Sequence, residues 1–219
     1  MNTLIAQLIN LFASAMLILA FAMLSQRRIL SLIHLFTLQG LTVVGATTVV
    51  AYVTHQHHLY YSAALTLMLK VFLIPFLLHR LIDRLNVRWD VETLINIPTT
   101  MLIGIFMVIF AFAIAPPIAQ LSPSIARGTL GIALACVLLS FLMMITRSKA
   151  VPQVIGFLAM ENGLFFAATS ATYGMPMVVE LGIALDVLVG ALILGVFMFQ
   201  IREQFDSLDI RHLEKMKED

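Results

Sequence analysis

Apolar residues run down this chain in long stretches, and charged or turn-forming residues gather almost only where one stretch ends and the next begins. A helix needs roughly 20 apolar residues to cross about 30 Å of hydrocarbon. Seven stretches reach that length, at about 3–25, 29–53, 60–82, 95–118, 124–146, 151–172 and 177–201. The pattern therefore predicts an all-α integral membrane protein with seven transmembrane helices. The first stretch is read as a mature helix rather than a secretory signal, because it lacks a leading cation and a small-residue cleavage site before Gln26, Arg27 and Arg28.

Composition agrees with this reading and narrows the chemistry. Apolar residues make up 61% of the chain and charged ones 11%, with a mean hydropathy of +1.00. A soluble domain carries about 45–50% and about 25% respectively, so an aqueous fold would lack polar surface. Thirteen cationic against twelve anionic side chains leave a charge of +1, which offers no basic excess for nucleic acid. A single cysteine, Cys136, cannot form an internal disulfide, hold an iron–sulfur cluster or complete a thiolate zinc site. No phosphate loop, zinc motif or nucleophile elbow occurs, so no cofactor and no autonomous catalysis are expected.

The cations set the expected orientation. Arg27 and Arg28 follow the first span, Arg80, Arg84 and Arg88 the third, Arg147 and Lys149 the fifth, and Arg202, Arg211, Lys215 and Lys217 the last. Short loops rich in Lys and Arg stay cytoplasmic, which places the N-terminus outside and the C-terminus inside. The stretch 83–92, with Trp89 among charges, reads as an amphipathic segment in the cytoplasmic interface.

The joints also repeat. Spans 2 and 6 each follow a basic joint, and spans 3 and 7 each follow a short uncharged loop, at 55–59 and 173–176. Two three-helix units in parallel orientation need one extra crossing between them, and span 4 supplies it. The expected organisation is a first repeat over 1–82, an interfacial segment and linker helix over 83–123, a second repeat over 124–201 and a cytoplasmic tail over 202–219. Seven helices with coincidental spacing is the alternative.

Four polar residues fall deep in these spans. At about 1.5 Å per residue, Gln39, Lys70, Glu161 and Asp186 all lie roughly 14–15 Å from a membrane face. A charge there costs about 2.5–3.5 kcal/mol even on the lenient insertion scale, so these side chains must face protein or water. Superposing the repeats puts Gln39 in the place of Glu161 and Lys70 in that of Asp186. Gly182 and Gly190 flank Asp186 on its own helix face, where they admit a close neighbour. Pro75 should bend the third span and free a carbonyl that Lys70 or water would satisfy. Low-dielectric surroundings penalise the charged forms of such groups, which suits reversible proton binding near neutral pH. The alternative is that Lys70 pairs with Asp186 or Glu161 only to fix helix packing. Glu180 sits near a span end, as a mouth, a relay or an interfacial charge. His34 and His79 lie about one turn from cytoplasmic ends, as proton relays or as hydrogen-bonded interfacial residues. His55, His57 and His58 share one loop, which is weak ground for a metal site, and none is assigned.

Several of these residues sit in segments that resemble the hydrogenase-4 membrane component E family of formate hydrogenlyase-type complexes. The resemblance is carried by Met160-Glu161-Asn162-Gly163, by Pro176 with Val179-Glu180-Leu181-Gly182-Ile183-Ala184-Leu185-Asp186, by Leu69-Lys70-Val71-Phe72-Leu73-Ile74-Pro75, and by Ser207-Leu208-Asp209-Ile210. That family is related to the K subunit of respiratory complex I and the C subunit of multisubunit sodium/proton (Mrp-type) antiporters. Their pattern of one carboxylate in the second helix and another in the third maps onto Glu161 and Asp186. The first repeat departs from it, since Gln39 and Lys70 stand where acids would. The resemblance implies a noncatalytic subunit in a bacterial or archaeal inner membrane. Its implied partners are antiporter-like membrane subunits and the membrane anchor of a soluble hydrogenase or related oxidoreductase arm. The implied role is redox-coupled movement of protons or sodium ions. A self-sufficient small transporter and a purely structural assembly subunit are the alternative expectations.

Overall fold

A computed structural model describes residues 2–85, 91, 93–120, 129–172, 188 and 195. Helix α1 covers Asn2–Ser25 and α2 Ile29–Thr54. The third rod is α3, His57–Thr66, a π-helical segment Leu67–Leu73 and α4, Ile74–Leu85, which follow one another without a break. Then come α5, Ile97–Gln120, α6, Leu130–Thr146, and α7, Ala150–Thr172. The first six predicted spans thus coincide with helical rods. The predicted start of the fifth, at 124, lies outside the described residues. So does the seventh span, except for Leu188 and Gly195, which are helical.

Five described helical stretches are long and apolar enough to cross a membrane, and α6 is a shorter apolar helix of 17 residues. Their outward faces are apolar as well: α5 exposes Leu102, Ile105, Phe106, Ile109 and Phe110. That arrangement suits a hydrocarbon solvent and no other. Several threonine hydroxyls inside the helices are satisfied locally. Along α2 the hydroxyls of Thr37, Thr47, Thr48 and Thr54 donate to carbonyls four residues back, and Thr42 to Gln39, three back, at 2.7–2.8 Å. His55 closes α2 in the left-handed region, φ 53°, and turns the chain into α3. Two of the three clustered histidines are therefore a helix cap and the first residue of the next helix.

Helices α1 and α2 pack together, as do α6 and α7. Helix α1 also meets α6, α2 meets α7, and α5 lies against α6 and α1. Met16, Met23, Ile33, Phe36, Leu139, Ile155 and Phe166 are buried between them. Close approach of α6 and α7 depends on two glycines. A Cβ at Gly163 would lie 3.0 Å from Val137 Cγ2 and 3.2 Å from the Val137 backbone nitrogen, and one at Gly156 would lie 3.3 Å from the Ser140 carbonyl oxygen.

Three of the four regions that the cation pattern groups on one face meet at one end of the bundle; the fourth, the tail 202–217, lies outside the described residues. The Val91 N–H donates to the Arg27 carbonyl at 2.7 Å, and that of Leu94 to the Thr146 carbonyl at 2.9 Å. Thr93 and Arg147 form an antiparallel bridge. Arg147 itself turns inward, 1% exposed, and donates from Nη2 to the Leu24 carbonyl at 2.6 Å at the end of α1. Burial pulls its pKa below the usual guanidinium value, from so high a start that the charge persists. The expected interfacial segment 83–92 is described only at its ends. Residues 83–85 continue α4, and Val91 is buried beneath the joints. Residues 86–90 and 92 lie outside the described residues.

Because backbone atoms of α6 stand behind Gly163, they cannot yield as a flexible side chain would. We expect Gly163→Ala to cost about 1–3 kcal/mol. It would be read as a lower unfolding midpoint of the detergent-solubilised protein.

Candidate functional site

Pro75 has no N–H to give to the preceding turn, and its ring crowds the carbonyl four residues back. The helix responds by widening: the Ile74 N–H reaches back five residues to the Leu69 carbonyl, at the end of the π-helical segment. The distortion expected at Pro75 takes the form of a π-helical segment over seven residues, and the Lys70 amine, expected with water as a partner for the freed carbonyl, is engaged elsewhere. Gly40 on α2 faces this segment. A Cβ there would stand 3.4 Å from Val71 Cγ2 and 3.7 Å from Lys70 Cβ, in ordinary contact.

From this position Lys70 crosses to α7. Its Nζ donates to Glu161 Oε1 at 2.9 Å, with the two side chains only 4% and 9% exposed. Phe165, one helical turn beyond Glu161, places its ring centroid 5.6 Å from the ammonium, within cation–π range. Beside the pair, Asn162 Nδ2 donates to Gln39 Oε1 at 3.3 Å, joining α7 to α2. Both amides are fully buried. Among the described residues, Glu161 Oε2, Gln39 Nε2 and Asn162 Oδ1 have no hydrogen-bond partner. The cluster thus keeps two acceptors and one donor to spare while its two charges neutralise each other.

Three of the four deep polar residues named from the sequence, Gln39, Lys70 and Glu161, therefore meet in one cluster. Asp186 and Glu180 lie outside the described residues. His34 and His79 come together from α2 and α4, their rings edge to face with centroids 5.8 Å apart. His79 Nδ1 lies 3.0 Å from the Pro75 carbonyl oxygen, which would accept from an Nδ1–H. Asn162 was quoted in the sequence only as part of a motif, although an amide beside a mid-span acid is the signal that would have marked it. No sequence feature pointed to Phe165. Among the described residues, no three His, Cys, Asp or Glu side chains converge as metal ligands.

Helices and cluster together define a multi-pass membrane protein built around an internal ion pair. The chain is 30% identical over 209 residues to the Uncharacterized protein Rv0085 of Mycobacterium tuberculosis, an alignment covering 94% of this chain and 95% of that one, and it belongs to the same family. It is also 24% identical over 117 residues to Hydrogenase-4 component E of Escherichia coli and of Shigella flexneri. That distant similarity covers 53% of this chain and 54% of those proteins. No family model matches the chain, and no solved structure matches it.

Removing one member of a buried pair strands the other charge, at a cost of about 3–5 kcal/mol. We expect Lys70→Met and Glu161→Leu each to lower stability by about that amount, and the double variant to lose far less than the two losses combined. A double-mutant cycle of unfolding in detergent measures the difference.

Proposed function

We propose that this chain is a noncatalytic membrane subunit of a respiratory-type complex, of the hydrogenase-4 or formate hydrogenlyase kind or a relative of it. Its Glu161, with Lys70 as charge partner, serves in redox-coupled ion translocation. The observation that carries this reading is the Lys70–Glu161 pair itself. It lies inside apolar helices, is flanked by the Gln39–Asn162 amides, and one carboxylate oxygen has no described protein partner. Ionisable groups held at such depth usually mark an ion pathway. The distant similarity to Hydrogenase-4 component E supports placing the chain beside other membrane subunits.

In this reading Asp186 is a second carboxylate on the same route. Glu180 stands at its outer mouth, and the contacting His34 and His79 stand at the cytoplasmic one. The partners are antiporter-like subunits and the membrane anchor of a soluble oxidoreductase arm, in a bacterial or archaeal inner membrane. Two parallel three-helix repeats would account for the way α1 meets α6 and α2 meets α7, like helix against like. A packing role for the pair is the second reading, favoured by its closed geometry at 2.9 Å.

Glu161→Gln separates the two, because it keeps volume and hydrogen bonding but binds no proton. We expect the complex to assemble while ion movement per electron transferred falls about tenfold or more, as for loss of a positioned acid–base group. Ion movement measured in inverted membrane vesicles that stays at the wild-type level would leave only the packing role.

A further inference from the structure

We propose that Lys70 makes Glu161 selective for the proton over the sodium ion, by filling the carboxylate's cation position with a tethered ammonium. This rests on the reading of Glu161 as an ion-binding carboxylate and names the ion it takes.

The ammonium stands 2.9 Å from Oε1, where a bare monovalent cation would otherwise approach. It is held there from three sides. Gly40 of α2 packs against its stem, the π-helical segment fixes its backbone, and the Phe165 ring lies behind its charge. A sodium ion entering a protein replaces its water shell with several oxygens, commonly unwound backbone carbonyls. Beside this carboxylate the described cluster can spare one carboxylate oxygen and one amide oxygen. The remaining free group is an amide nitrogen, and turning both amides over only exchanges which residue supplies each.

A proton needs no such shell. Taken up from outside it adds one positive charge, as sodium would, but it needs only a single O–H bond, formed at Oε2, which has no partner among the described residues. Within the pair it can also shift along the existing hydrogen bond: an N–H bond of the ammonium breaks, an O–H bond forms at Oε1, and nitrogen keeps the electron pair. Among the described residues, the elements packed around α7 bring few other titratable groups. Helix α6 carries Cys136, with Arg147 at its end, and α2 carries His34 a turn from one end and Tyr52 near the other. The rod with Lys70 carries His79 and Arg80 towards its far end, and His57, Tyr60 and Tyr61 at its start.

The test is infrared difference spectroscopy of the full chain reconstituted in liposomes, titrating the protonated-carboxyl band that Glu161→Gln abolishes. In the wild type we expect the titration midpoint to stay in place when potassium is exchanged for sodium at constant ionic strength. In Lys70→Gln we expect sodium to compete with the proton, a tenfold rise in sodium lowering the midpoint by about one pH unit once sodium is saturating. A wild-type midpoint that falls with sodium overturns the proposal, and so does a folded Lys70→Gln protein that ignores sodium. Should that variant not fold, the wild-type titration decides alone. Either failure leaves Glu161 an ion carrier, whereas wild-type ion movement by Glu161→Gln would remove the reading beneath it.

Discussion

One ion pair governs how this bundle is built. A lone charge deep in hydrocarbon is costly, and two charges offset that cost only if they meet at hydrogen-bond distance with the rest of their surfaces covered. The Lys70–Glu161 contact at 2.9 Å satisfies the first condition and the packing of α2, α7 and the third rod the second. Several local features serve that contact. Pro75 forces the widened helix that carries the lysine, and Phe165 backs the ammonium. The Gln39–Asn162 bond ties α2 to α7 next to the carboxylate, so the helices that carry the cluster are also held together by it.

The cluster combines tight neutralisation with spare hydrogen-bonding capacity. A purely structural pair gains most when every polar atom around it is engaged. Here one carboxylate oxygen and one end of each amide remain without a described partner. The edge-to-face His34 and His79 rings lie on two of the same rods, nearer the end where the basic joints gather.

Much of this could be read from the residues. Apolar run lengths located six rods to within a few positions, because in hydrocarbon the backbone has no option but a helix and the bilayer sets its length. Depth along each run placed Lys70, Glu161 and Gln39 at one level, and they meet. Three things were hidden. A π-helical segment leaves no mark in hydropathy, so Pro75 suggested a kink instead. The role of Asn162 depends on which face of α7 meets α2, a matter of packing and not of depth. Arg147 looked like one more interfacial cation, since a positive charge in a basic joint gives no sign that it will turn inward beneath a neighbouring backbone.

That inward turn has a consequence for how the protein is made. The carbonyls of Met23 and Leu24 are synthesised long before the guanidinium that covers them, which arrives only with the joint between α6 and α7. Until then the carboxy-terminal end of α1 has no such lid, and the strand-like residues 93 and 94 have nothing to lie against at Arg147 and Thr146. The amino-terminal half is thus left unfinished during synthesis. Closure of the clasp coincides with delivery of Glu161 to Lys70, so chains truncated before α7 would present both an open end and a stranded charge to the membrane's quality-control proteases.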